Sequence, residues 1–192
     1  GQTKNTTAKI TSQHGLIYFS LMKKIGKDRA KLYAMANQEA VRLYEKLITE
    51  QKIECDFRKL SSVLYSCREA DSLKREAEAA EALGLSASFT DKTELPFRVE
   101  GAVCFEDQAQ FEPLAFVKHI SQGLEIYEST RALSVRGNVI ETDLGNVTAD
   151  HIVFATHYPF INVPGFYFLR QHQERSYVLA LSGAEQYENM YY

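Results

Sequence analysis

No run of about 18 apolar residues occurs anywhere in this chain, and its start carries neither a basic nor an apolar leader segment, so neither a membrane span nor a targeting peptide is expected. Cationic residues are not in excess. The 22 Lys and Arg stand against 25 Asp and Glu, a formal net charge of −3, which leaves no broad positive field and argues against nucleic acid as a partner. Cysteine is scarce: Cys55, Cys67 and Cys104 are odd in number, far apart and never spaced CxxC, which disfavours a disulfide framework and a zinc knuckle and points to a reducing cytoplasm. His151 and His157 have no third ligand spaced near them, so no metal is expected. Internal repeats and low-complexity tracts are absent as well. What is present is core material, 45% hydrophobic residues with 24% charged over 192 residues, enough to fold as one domain or a compact pair.

Apolar residues between Gln13 and Ile25 predict a short helix stopped by Gly26. Asp28 then suits the N-cap of a long helix whose Leu32, Ala36, Ala40, Leu43 and Leu47 recur every three or four residues, the period of a buried face. Leu60 to Ser66 reads as a strand. A charged helix follows from about Arg68 to Leu83, with Leu73, Ala77, Ala80 and Leu83 as its buried stripe and Gly84 as its stop. Ser86 to Arg98 is mostly loop with one short strand, and Gly101 to Phe105 is a compact apolar strand. Pro113 opens a helix that Gly123 stops ahead of an alternating strand, Leu124 to Glu128; strand, helix and strand at this spacing suggest a crossover feeding a parallel sheet. Turn signals at Arg136-Gly137-Asn138 and Leu144-Gly145-Asn146 give three short antiparallel strands, the last running into Ile152-Val153-Phe154-Ala155. Tyr167 to Leu169 and Tyr177 to Leu181 read as two more strands. The fold class is therefore α+β, a mixed or antiparallel sheet backed by helices.

Two segments carry chemistry. Small residues at a strand's carboxyl end, here Ala155 and Thr156 before His157, let a nucleotide approach the backbone closely, although an apolar strand followed by Ala-Thr also serves as plain sheet core. The segment Thr6-Thr7-Ala8-Lys9 gathers hydroxyls and backbone N–H groups ahead of a helix, an arrangement that binds phosphate or merely forms a solvated, capped lead-in.

Taken together, Asn5-Thr6-Thr7-Ala8-Lys9 with Gln13-His14-Gly15, and Ala155-Thr156-His157-Tyr158-Pro159-Phe160 with Arg175-Ser176-Tyr177-Val178, make the chain resemble the FAD-dependent amino-acid oxidase family, the D-amino-acid oxidase or glycine oxidase-like group. The likeness is narrowest to the bacterial subgroup that often carries a C-terminal Rieske domain. It spans nearly the whole chain, including the order of helices and strands that leads into Ala132. The resemblance implies FAD as cofactor, with Thr6, Thr7, Ala8 and Lys9 near the flavin and its phosphates, Ala132 at adenine through its backbone, and Ala155 with Thr156 beside the nucleotide. It also implies a small amine or amino acid as substrate and hydride transfer to flavin. Among candidate catalytic groups, Arg175 and Arg170 have the guanidinium fork that matches a carboxylate, or else make surface ion pairs; Tyr177 faces a substrate cavity or core; His14 tunes the flavin or is a hydrogen-bonded structural residue.

One departure from the family is large. No G-x-G-x-x-G follows an apolar strand, so the chain is expected to be an internal fragment whose nucleotide-binding half lies elsewhere in the same protein, inactive alone and without tight FAD binding. On this reading residues 1–27 form a flavin-proximal loop and helix, 28–100 the first part of a substrate domain, 101–160 a peripheral part of an FAD-binding Rossmann-like domain, and 161–192 the truncated second part of the substrate domain. The alternative is a free-standing α+β binding or interaction domain without catalytic activity, whose exposed apolar sheet surface would be buried in a homo-oligomer.

Overall fold

The computed structural model of the protein describes residues 2–162, 165–174, 177–183 and 186–192. In chain order the elements are β1 (Lys9–Ile10), α1 (Tyr18–Ile25), α2 (Lys27–Glu50), β2 (Arg58–Ser66), α3 (Asp71–Ala82), β3 (Ala87–Thr90), β4 (Gly101–Gln110), α4 (Pro113–Ile120), β5 (Ala132–Arg136), β6 (Val139–Thr142), β7 (Gly145–Thr148) and β8 (Met190–Tyr191), with 3-10 turns at Gln2–Asn5 and Tyr167–Leu169. They divide into two compact units, Gly1–Gln122 with Ala180–Tyr192, and Gly123–Leu179. The fold is α+β, as the sequence pattern implies.

The first unit is built on β4, which is twice the expected length and pairs antiparallel with β1, β2 and β3. β8 joins β2 in parallel, making the sheet mixed. Facing residues share a side of a sheet, so the register Ser62↔Phe105, Leu64↔Val103 and Phe89↔Val103 puts Leu64, Phe89, Val103 and Phe105 together. That side packs on α1 and α3: Tyr18, Leu73, Ala77, Ala80, Leu83, Val103 and Phe105 form one buried cluster. The stripe expected of the charged helix is therefore buried. Smaller clusters join Ile48, Ile53, Cys55 and Phe116, and Ile10, Val41 and Ala109. All three cysteines are free thiols.

Two local readings of the long helix need correction. It begins at Lys27 behind Gly26, whose φ of 82° only glycine adopts easily, so Asp28 lies inside the first turn instead of capping it. Its buried face is Ala30, Ala34, Gln38, Val41 and Ile48, whereas Leu32 is 72% and Leu43 54% exposed, and Ala36 and Ala40 are also exposed. Both sets obey the helical period. The alanines win the inward position because Ala30 and Ala34 belong to the cluster around Tyr18 and Leu73, where a small side chain lets α1 and α2 approach. At α4 the expectation holds. Pro113 occupies the first turn, and the Glu112 carboxylate accepts from the backbone N–H groups of Leu114 (3.0 Å) and Ala115.

The second unit contains the antiparallel meander β5-β6-β7, with a turn at Gly137-Asn138 as expected and one at Asp143-Leu144, just ahead of the expected Leu144-Gly145-Asn146, because Gly145 already pairs with Thr142 in β7. The other predicted strands here are not formed. Leu124–Glu128, Ile152–Ala155 and Tyr177–Leu181 are irregular, and Tyr167–Leu169 is a 3-10 turn. A strand needs a neighbour to accept its backbone hydrogen bonds, and among the described residues no strand pairs with any of them, so no crossover unit results. Val153 is 84% exposed.

Candidate functional site

The loop ahead of β1 is shaped by its own side chains. Thr6 Oγ1 accepts from Ala8 N–H at 3.2 Å, and Ala8 takes the left-handed conformation, φ 59°, that a non-glycine residue rarely adopts. The chain then enters β1, where Ala8 O accepts from Phe111 N–H. Thr6 and Thr7 are exposed, and the Thr6 hydroxyl also donates to Thr3 O at 3.5 Å. Lys9 is the cation of this loop. Its Nζ lies 3.9 Å from the centre of the Tyr192 ring and donates to Tyr191 O at 3.3 Å. Cation–ring attraction offsets part of the desolvation cost, and burial still holds the amine below its usual pKa.

Tyr192 closes the corner. Its hydroxyl donates to Gln13 O at 3.1 Å, its N–H donates to Val63 O and its carbonyl accepts from Tyr65 N–H, so the end of the described chain is fastened both to β2 and to the segment after β1. Burial pushes this phenol's pKa up. Gln13 itself is buried; its Nε2 donates to Val103 O at 3.2 Å while Oε1 has no partner among the described residues, an unsatisfied acceptor that costs about 1–3 kcal/mol.

Behind this corner lies a closed set of amides and hydroxyls. Gln108 Oε1 accepts from Ser12 N–H (2.6 Å), Gln38 Oε1 accepts from Ser12 Oγ (2.8 Å) and from Gln108 Nε2 (3.2 Å), and Tyr18 Oη donates to Ser12 O. One residue on, Glu76 is buried with its carboxylate accepting from the N–H groups of Tyr18 (2.7 Å) and Phe19 (3.0 Å), which ties the first turn of α1 to α3. Burial raises the pKa of Glu76, and those hydrogen bonds oppose the rise. Such a network fixes the backbone on which Lys9 and Gln13 are mounted. On the α2 side a cleft of about 220 Å³ is walled by Lys9, Thr11, Asn37, Ala40, Tyr44 and Phe111, apolar surface with one ammonium and one amide. His14 stands at its margin in sequence, exposed, with its Nε2 3.1 Å from Asn37 Oδ1.

The structure thus brings Lys9 beside Tyr191 and Tyr192, with Thr6, Thr7 and Ala8 preceding it and His14 following it on the same segment. The remaining expected residues belong to the second unit. Ala132 opens β5 opposite Thr142, at a bulge; Ala155 and Thr156 are exposed, with Ala155 N–H donating to Val153 O; Tyr177 is 87% exposed; Arg170 is exposed. Arg175 lies outside the described residues. Sequence reasoning missed Tyr192 and the Ser12, Gln38 and Gln108 set. A glutamine in helical phase with Ala34 and Val41 was the available signal for the latter.

A family description, FAD dependent oxidoreductase (DAO), matches residues 1–190. The chain belongs to this family. It is 32% identical over 203 residues to YhfW of Bacillus subtilis (strain 168), a protein named as a Rieske 2Fe-2S iron-sulfur protein, with all of this chain and 40% of that relative covered. Among solved structures the DAO chain is similar to glycine oxidase from Geobacillus kaustophilus, with TM-score 0.55 and 18% identity over 81% of this chain and 45% of that one. It is also similar to glycine oxidase from Bacillus cereus ATCC 14579, with TM-score 0.50 and 13% identity over 76% and 42% of the two chains. At these identities the structural likeness is one of fold. The chain spans less than half the length of each of these relatives. FAD use is a property of the family, and the donor set of the first unit suits it: an ammonium, exposed threonine hydroxyls and an apolar wall match a ligand with phosphates and a flat ring.

Proposed function

We propose that this chain is the central part of an FAD-dependent oxidoreductase that oxidises an amine or amino acid in a reducing cytoplasm, and that the corner of Thr6, Thr7, Lys9 and Tyr192 forms one wall of its flavin site. Bound FAD supplies the acceptor for the hydride leaving the carbon next to the substrate nitrogen. The protein's own work is positional. Thr6 and Thr7 would donate hydroxyl hydrogen bonds to the cofactor, the left-handed Ala8 fixes the turn that leads from them into β1, and Lys9 would supply positive charge toward its phosphates or ring. Ala132, Ala155 and Thr156 are assigned to the nucleotide end of the cofactor, and Tyr177 and Arg175 to the substrate side, on the strength of the family pattern.

The observation that carries the reading is the mounting of Lys9. A half-buried ammonium with no carboxylate within ion-pair distance among the described residues, held over the Tyr192 ring and two residues after the exposed Thr7, is costly unless an anion shares the site. Replacing Lys9 by Met and Thr7 by Val in the full reading frame tests it: flavin bound per polypeptide, read from its visible absorption, falls at least tenfold (about 1.4 kcal/mol). Unchanged flavin content would sink the assignment. The 192-residue chain alone is expected to purify colourless, since it contains no phosphate-cradling G-x-G-x-x-G loop.

A further inference from the structure

Lys9 owes its place to β8, a strand of two residues. Met190 and Tyr191 pair in parallel with Ser62 and Val63 at the edge of the sheet, and the next residue supplies the ring under the ammonium. So short a parallel edge pairing is weak on its own. The loop between β3 and β4 adds a second hold, anchored at one end by Thr90 in β3 and at the other by buried Val99 and by Glu100 N–H, which donates to Ser66 O at 2.8 Å. Between these anchors Glu94 meets the tail three times. Its carboxylate accepts from Glu188 N–H at 2.8 Å and from Asn189 Nδ2, and its own N–H donates to Tyr191 Oη at 3.1 Å. Three residues on, the Phe97 ring lies 5.7 Å from Tyr65, which is 6.5 Å from Tyr191, itself 5.7 Å from Tyr187. Polar and apolar contacts from one loop therefore converge on the residues just before Tyr192.

We propose that Glu94 is a positioning residue for the flavin corner, acting on Lys9 through β8. This rests on the flavin reading above and names the group that sets the geometry of its cation. Tyr191 is the connecting piece: its hydroxyl accepts from Glu94 N–H, and its carbonyl accepts from Lys9 Nζ at 3.3 Å. A carboxylate suits the task because its two oxygens take two N–H donors at once, and such charge-assisted bonds are stronger than neutral ones. Nothing else claims it. The neighbouring Glu100 pairs with Arg98 at 3.8 Å, whereas Glu94 has no ion-pair partner among the described residues. Glu94 is also exposed, so its bonds compete with water and add little to global stability. What they fix is local, the docking of a strand end that would otherwise fray.

The test uses the full reading frame that encodes this chain, as wild type, Glu94→Ala, Glu94→Gln and the control Glu100→Ala. Two quantities are read by mass spectrometry: amide hydrogen exchange of the peptide carrying Glu188 to Tyr192, and the rate at which an acylating reagent modifies Lys9 relative to the exposed Lys4. In Glu94→Ala, exchange of the tail peptide rises at least ~tenfold while β4 exchanges as before, the pattern of a local opening. Lys9 acylation then rises toward the rate of Lys4. Glu94→Gln, which keeps one acceptor oxygen, recovers part of both effects, and Glu100→Ala changes neither. Unchanged exchange in Glu94→Ala overturns the proposal, and so does faster exchange with Lys9 unaltered, which uncouples the tail from the ammonium. Exchange that rises equally in β4 also overturns it, since Glu94 would then serve general stability. Flavin absorption of the same samples separates the two ideas. A freed Lys9 with full flavin content keeps the coupling and removes the flavin reading, whereas flavin lost with Lys9 unaltered does the reverse.

Discussion

The two units of this chain answer the same kind of sequence in opposite ways. In the first, apolar positions of β2, β3 and β4 meet those of α1 and α3, and Leu73, Leu83, Val103 and Phe105 are at most 1% exposed. In the second, the meander is formed with its first turn where expected, yet Leu133, Leu144, Val147, Val153 and Phe154 are between 43% and 84% exposed. Local signals suffice to make a hairpin; they do not make a core. Burial needs a second layer, and only the first unit contains one among its described residues.

The sharpest way to break this contrast is a matched pair of truncations. Phe105→Ala should lower the unfolding free energy of the first unit by about 3–5 kcal/mol, and Leu144→Ala in the second unit should change stability by less than ~0.5 kcal/mol; urea unfolding followed by circular dichroism measures both. Comparable losses would mean that the second unit has a core of its own. Next in size, Gly101→Ala should destabilise by about 1–3 kcal/mol, because a Cβ there would meet the Phe89 ring at 2.5 Å; Phe89→Leu in the same protein should recover part of the loss in a thermal melt. Glu112→Ala, which removes the cap of α4, should cost about 1 kcal/mol by the same measurement.

The smallest effect is a slope with pH. Glu76 has a folded-state pKa raised by burial, so its contribution is fully present below the unfolded-state value and is lost as pH rises through the folded one. Stability of the wild type should therefore fall, relative to Glu76→Gln, as pH climbs from the ordinary carboxylate range toward neutrality. A parallel pair of pH profiles would show that the two backbone N–H donors outweigh desolvation.

Much of the fold was legible because period, glycine and proline act locally. Pro113, Gly26, Gly84 and Gly137 punctuate the chain where expected, and the Leu73-Ala77-Ala80-Leu83 stripe needed only the helical repeat. The phase of α2 was not legible, since both of its arcs satisfy that repeat and the choice between them depends on how closely Ala30 and Ala34 let α1 approach. The strands expected at Leu124–Glu128 and Ile152–Ala155 were read from composition alone, and composition does not supply a pairing partner. At the site, Thr6 to Lys9 could be singled out by residue type, whereas the role of Tyr192 arises from a parallel pairing between distant segments that no spacing rule anticipates.

That pairing sets an order of events during synthesis. β2 leaves the ribosome early, but the outer edge that β8 will occupy stays bare until the whole of Gly123–Leu179 has been made. Contacts of such wide sequence separation form slowly, and an unpaired edge invites strands from other chains in the meantime. The ring on which Lys9 rests thus arrives only after the second unit, so the nascent chain has no finished corner to offer a ligand until β8 has docked.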